Sequence, residues 1–218
     1  KFIILGNIDN GSIVRNAGIT LAKNEWILFL DDDDELNIDR ICNLQNFISN
    51  SIETPSVILS PVQLVENGKN THLSNNLNNF DFNKNINEFG RWQINGVCVA
   101  RKIAQNIKFD ERLSKWQDTK FVIDITEKCS PHILKKVAAY WNQNTVNSVM
   151  QNKNKDGIER DLRSFLILTI DLKKRKLFKK KTYFKYLLRL SIVILRCCKF
   201  TGITNTYKIL NNTYKLIK

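Results

Sequence analysis

The strongest pattern in the chain lies between Glu25 and Leu36, where Trp26-Ile27-Leu28-Phe29-Leu30 runs without a polar residue straight into Asp31-Asp32-Asp33-Asp34. An apolar run of that length bounded by charge predicts a buried strand ending abruptly at a polar site. A similar short strand is predicted over 2–5, followed by a turn-rich loop over 6–11. Ser12 reads as the N-cap of a helix over 13–23 whose apolar side carries Ile13, Val14, Ala17 and Leu21, with Gly18 set for close packing on a sheet. Ile41, Leu44, Phe47 and Ile48 give helical spacing over 38–49, and Val57-Ile58-Leu59 opens a buried strand continuing past Pro61 through 62–65. The Asn-rich stretch 66–88 lacks a periodic apolar signal and predicts a mobile loop or insertion. Residues 91–100 read as a strand in which Gly96 permits a close backbone approach. Helices follow over 101–106 and 119–128, a final strand over 132–140, a polar loop over 141–151, and helices over 160–172 and 183–200. Strands alternating with helices make the chain α/β, with a domain over 1–150 and a helical extension over 151–218.

Charge changes this picture because it is unevenly placed. Of the net +13, residues 172–218 hold 14 Lys and Arg and no Asp or Glu, which leaves −1 for the first 171. In the extension, Lys185, Arg189, Arg196 and Lys199 share one stripe of an otherwise apolar helix. Such a helix is too charged to span a bilayer and suited to lie on an anionic membrane surface, the partner expected for 173–200. A packed helix with a solvated basic stripe is the alternative, and no recognised motif supports nucleic acid as a partner.

Cysteine and histidine narrow the chemistry. Cys42, Cys98, Cys129, Cys197 and Cys198 show no metal-ligand spacing, lie in or beside apolar segments, and read as buried free thiols in a reducing compartment. The expected location is therefore cytoplasmic, peripheral to the inner face of the cell membrane where the tail binds. With His72 and His132 as the only histidines, a His-based zinc site or a Ser-His-Asp triad is poorly supported. No run reaches the length of a membrane span and no signal peptide opens the sequence.

Four adjacent carboxylates repel one another unless something neutralises them, so a divalent cation at Asp31 to Asp34 is the natural inference, with a solvated acidic loop or cap as the alternative. In open α/β sheets such a strand end is where ligands bind. Arg15, in a first helical turn, can reach an anionic ligand or form a surface ion pair. Asp118, opening a helix, is a cap or a general base. On these residues alone the chain also fits a metal-dependent phospho- or nucleotidyltransferase, or a membrane-associated interaction protein.

Two ordered motifs sharpen the reading. Asn10-Gly11-Ser12-Ile13-Val14-Arg15-Asn16-Ala17-Gly18, then Trp26 to Leu36, resembles the Ala-Arg-Asn-x-Gly and Phe-Leu-Asp-x-Asp-Asp signature of family 2 glycosyltransferases. Asn95-Gly96-Val97, Phe109-Asp110 and Gln117-Asp118 are similar to that family's second signature, with Gln117 in place of the usual Glu. The resemblance implies a GT-A fold, a mostly parallel sheet flanked by helices. It also implies an inverting, hexosyltransferase-like transfer from a nucleotide sugar, a UDP-sugar being expected, to a glycan or lipid-linked acceptor in surface polysaccharide synthesis. Asp31 and Asp33 would hold donor and metal, the latter Mn²⁺ or Mg²⁺, Arg15 and Asn16 the donor, and Asp118 would be the base. The family's first strand and nucleobase loops are expected before Lys1, so residues 1–218 alone are expected to be an incomplete catalyst.

Overall fold

The computed structural model describes residues 10–74, 80–88, 92–142 and 155–217. The strand expected at 2–5, the start of its loop, residue 91 and the polar loop over 143–151 lie outside the described residues. Those described fall into two compact units, one with residues 15–109 and 118–148, the other with 1–14, 110–117 and 149–218.

The first unit is built on two four-stranded sheets. One has the order β1 (Trp26–Leu28), β6 (Val97–Ala100), β3 (Val57–Leu59), β7 (His132–Ile133); the other β2 (Glu35–Leu36), β8 (Ala139–Asn142), β4 (Val62–Glu66), β5 (Lys69–Ser74). The apolar run at 26–30 enters a core with Ile27, Phe29, Val57, Val97, Val99, Phe109, Phe121 and Ile125 all buried. Phe109 and Phe121 stack with ring centroids 4.0 Å apart, and Phe29 meets both edge-on.

Among the described residues, only the β3–β7 and β4–β8 pairings are parallel, so the α/β class holds while strand direction is mixed instead of mostly parallel. The strand read as continuous through Pro61 is divided between the sheets, as is the one read over 132–140, because Ser60 and Pro61, and residues 134–138, carry the chain from one sheet to the other. The stretch 66–88 is not a featureless loop. Asn67 and Gly68, both at positive φ, turn a β4–β5 hairpin, and Asp81 caps α3 (Phe82–Asn87) by accepting the Lys84 N–H.

Helix α1 (Gly11–Leu21) corrects three expectations. Asn10, not Ser12, closes its first turn, its Oδ1 accepting the Ser12 N–H at 2.9 Å. The buried face is Ser12, Asn16 and Ile19, while Ile13, Val14 and Leu21 are exposed. Gly18 has open space beside it. Similarly α2 (Arg40–Ser49) buries Arg40 and Leu44 and leaves Ile41 and Cys42 outside, with Ile38 exposed ahead of it. The expected close approach at Gly96 is present: it ends a 3₁₀ turn (Ile94–Gly96) and lies so near the Ser60 carbonyl oxygen that any Cβ would collide with it. Helices α4 (Arg101–Ile107) and α5 (Gln117–Lys128) complete this part of the chain.

The second unit packs α6 (Lys155–Lys174), α7 (Lys180–Thr201) and α8 (Ile203–Ile217) around Leu162, Val193, Cys197 and Ile209. Gly202, at φ 83°, breaks the chain between α7 and α8, a helix the periodicity had not indicated. Trp116 is held at φ 61° and is wedged into this unit: Nε1 donates to Asp161 at 2.7 Å, its ring meets Phe165, and the Arg189 guanidinium lies 4.9 Å above it. α7 and α8 leave Phe184, Leu188 and Leu195, then Ile203 and Tyr207, exposed.

Gly96→Ala is expected to destabilise the protein by roughly 1–3 kcal/mol through overpacking against the Ser60 backbone, whereas Gly18→Ala, in open space, should stabilise or be neutral. Chemical denaturation of the two variants in parallel measures the difference.

Candidate active site

Strand register brings the site together. β1 pairs antiparallel with β6 through Leu28 and Cys98, so Asp31, three residues beyond, comes opposite Asn95, three residues before. Asn95 is buried; its Oδ1 accepts the Asp31 N–H at 2.9 Å and its Nδ2 donates to Asp34 Oδ2. On the other side β2 pairs with β8 through Glu35 and Tyr140, which brings Asp33 opposite Asn142. Asn142 donates its backbone N–H to Asp34 Oδ1 at 2.9 Å and its Nδ2 to the Asp33 carbonyl at 3.2 Å. The Asp34 N–H closes the turn on the Asp31 carbonyl at 3.2 Å. The turn is therefore gripped by two asparagines, Asn95 from the 3₁₀ turn before β6 and Asn142 from the end of β8.

The four aspartates separate into different environments. Asp34 points inward, and burial pushes its carboxyl up to about 6 against the pull of the Asn142 and Asn95 donors, with Asp33 and Asp31 adding to the rise. Asp31 is met by Arg15, whose Nη2 lies 2.6 Å from Oδ1. Asp32 and Asp33 are exposed at the tip.

Arg15 also reaches Asp118. Its Nη1 is 3.1 Å from Asp118 Oδ1, and its guanidinium carbon lies 5.5 Å from the centre of the Phe109 ring. Asp118 stands in the first turn of α5, one residue inside the helix, so it is not the cap. A third of its side chain is accessible, but Oδ1 is sealed and has no aligned hydrogen bond. Desolvation pushes the carboxyl up to about 6; the Arg15 charge opposes this and Asp31 adds to it. The structure thus unites Arg15, Asp31 and Asp118 around one guanidinium.

Asn16 is placed differently from expectation. It is 6% exposed, and it clamps the Phe109 backbone, donating Nδ2 to the carbonyl at 2.9 Å and accepting the N–H at 2.7 Å. Its amide is thus bonded at both ends to the Phe109 backbone. Asn142 carried no sequence signal, since its contacts depend on a strand pairing about a hundred residues apart.

Hard carboxylate oxygens at a strand end suit Mg²⁺ or Mn²⁺, which keep waters and take one or two carboxylates together with substrate phosphates. Among the described residues no three Asp, Glu, His or Cys side chains converge as a cage. The exposed Asp33 and the part-exposed Asp31 fit the partial role that such an ion requires.

Residues 2–110 match the family model described as Glycosyl transferase family 2, and the chain belongs to that family. It is 29% identical over 117 residues to the amylovoran biosynthesis glycosyltransferase AmsB of Erwinia amylovora, covering 50% of this chain and 38% of that protein. It is 24% identical over 194 residues to the minor teichoic acid biosynthesis protein GgaB of Bacillus subtilis (strain 168), covering 85% of this chain and 22% of that one. The chain thus spans well under half the length of these relatives. The fold matches a crystal structure of S. aureus TarS 1-349 in complex with UDP-GlcNAc, with a TM-score of 0.64 at 15% identity over 96% of this chain and 61% of that one. A second, in complex with UDP, gives a TM-score of 0.53 over 90% and 52%. These structures show the GT-A-type architecture.

Arg15→Met should raise the Asp118 midpoint above about 6, because the opposing cation is gone. A buried carboxyl with a raised folded value destabilises the fold when ionised and is relieved as pH falls through that value towards the ordinary carboxylate range. The variant should therefore lose more stability relative to wild type at pH 7 to 8 than near pH 4. Carboxyl-carbon NMR titration reads the midpoint and thermal melts at both pH values read the linkage.

Proposed function

We propose that the protein transfers a sugar from a nucleotide-diphosphate donor, a UDP-sugar, to a glycan or lipid-linked acceptor with inversion at the anomeric carbon, in the synthesis of a surface polysaccharide. The observation that carries this reading is the Asp118 carboxylate held across Arg15 from Asp31, with one oxygen sealed and the side chain partly open to solvent. Membership in family 2 supports the reaction class. The TarS complex with UDP-GlcNAc supports the donor class, and relatives named for amylovoran and teichoic acid biosynthesis support the acceptor class.

Asp118 accepts the proton of the acceptor hydroxyl as its oxygen bonds to the anomeric carbon. The bond from that carbon to the diphosphate oxygen breaks in the same displacement, the leaving nucleoside diphosphate keeps the electron pair, and the proton passes from Asp118 to solvent. Arg15 keeps the base ionised and offers positive charge beside the aspartate turn. Asp33, with Asp31, would hold a Mn²⁺ or Mg²⁺ that neutralises charge on the departing diphosphate. We assign this chemistry to residues 1–150 as the GT-A domain and residues 151–218 to an extension.

The extension is assigned to an anionic membrane surface on the cytoplasmic side. α7 and α8 expose Phe184, Leu188, Leu195, Ile203 and Tyr207, residues 172–218 carry no acidic side chain, and no described helix is long and apolar enough to cross a membrane.

In the full-length protein, Asp118→Asn should lower kcat about 10²- to 10⁴-fold while UDP binding persists, and Asp33→Ala should abolish the transfer that Mn²⁺ or Mg²⁺ supports. Wild-type kcat/KM should fall as pH drops through about 6, where Asp118 gains its proton. Steady-state transfer assays across pH, with calorimetry for UDP, check all three; wild-type rates in Asp118→Asn would remove the base assignment. Co-sedimentation should occur with vesicles containing anionic lipid and be lost with neutral ones.

A further inference from the structure

Arg40 is among the largest fully buried side chains of the described residues, 1% exposed, and among those residues no carboxylate pairs with it. A guanidinium sealed in this way is expensive, and an apolar side chain of similar length would normally be at least as stable. Its contacts are few and specific. Nη1 donates to Ser60 Oγ at 2.6 Å, Nη2 points at the Gly96 carbonyl at 3.4 Å, and Nε has no partner. The Ser60 N–H donates to that same Gly96 carbonyl at 2.9 Å. Gly96 ends the 3₁₀ turn whose middle residue is Asn95, and Asn95 holds both the Asp31 backbone and the Asp34 carboxylate.

The structure assigns Arg40 as a positioning residue for the aspartate turn, acting through Ser60 and Gly96 on Asn95. Arg40 and Ser60 converge on one carbonyl from a helix and from the end of β3, so the 3₁₀ turn is fixed from beneath while Asn95 reaches up to the loop. The polar chain is confined to the start of α2; further along, Leu44, Phe47 and Ile48 pack with Ile58 and Cys98 in the ordinary apolar way. The inference goes beyond the transferase reading, because it concerns how the ligand-bearing loop is held in the absence of any ligand.

The test uses the full-length protein and the variants Arg40→Met, Arg40→Lys, Ser60→Ala and Asn95→Ala, with three readouts: thermal melting, amide hydrogen exchange at residues 31–34 without ligand, and calorimetric binding of Mn²⁺ with UDP. Exchange at 31–34 should quicken in Arg40→Met and Asn95→Ala, and affinity for Mn²⁺–UDP should fall about 10- to 100-fold, as for outer groups that orient ligands. Arg40→Lys should recover part of both. Combining Arg40→Met with Asn95→Ala should add little, because both act along one path. Wild-type exchange and affinity in Arg40→Met, with only a lowered melting temperature, would overturn the assignment and leave Arg40 a core buttress. If Arg40→Met does not fold, Ser60→Ala is read by the same criteria. If the wild type itself binds no Mn²⁺–UDP, the donor reading fails and hydrogen exchange alone decides the relay.

Discussion

Four consecutive carboxylates at the end of a buried strand must each find an environment that tolerates their charge, and the sheet unit is arranged around that demand. Asp31 receives Arg15, Asp34 is taken inward by two asparagines, and Asp32 and Asp33 are left at the surface. None of the partners is local: they come from a helix before the strand, a 3₁₀ turn sixty residues later and a strand a hundred residues on. Once the registers Leu28 with Cys98 and Glu35 with Tyr140 are set, the asparagines follow geometrically. The site is therefore a product of strand pairing as much as of its own motif.

The same logic explains what the sequence disclosed. The strand at 26–30, its acidic end, and Asp118 at a helix start were legible because each is a local pattern, an apolar run meeting charge or a carboxylate opening an amphipathic segment. The buried side of α1 was not, because two of its three buried residues, Ser12 and Asn16, are polar. Ser12 and Asn16 are inside since distant backbone groups satisfy them, at Leu113 and Phe109, and hydrophobic periodicity cannot register a buried residue whose partner is about a hundred positions away. Arg40 was hidden for the same reason, an arginine being read as surface by default. The single strand read through Pro61 failed differently: the apolar composition is continuous, and only the pairing shows that one half belongs to each sheet. Asn142, whose contacts rest on the β2–β8 pairing, had no sequence signature at all.

Gln117, the departure from the family signature, has a structural setting. Ser12 Oγ lies 2.7 Å from Gln117 Oε1, in a side chain with no ionised form. A glutamate there would bring another negative charge next to Asp118, whose carboxyl is already raised. The neutral amide spares the Asp118 carboxylate that repulsion.

The acid-free helices have a consequence for how the two parts of the chain sense their surroundings. The first 171 residues are close to neutral, so their electrostatics rest on short contacts such as Arg15 with Asp31, which salt screens little. The last 47 residues, with fourteen cations and no anion, lie at the other extreme, where attraction to a charged surface collapses over about 8 Å at physiological ionic strength. One polypeptide thus obeys two ionic-strength laws: added salt weakens whatever the charge of the last 47 residues attracts, and leaves the short contacts of Arg15 with Asp31 and Asp118 nearly as they were.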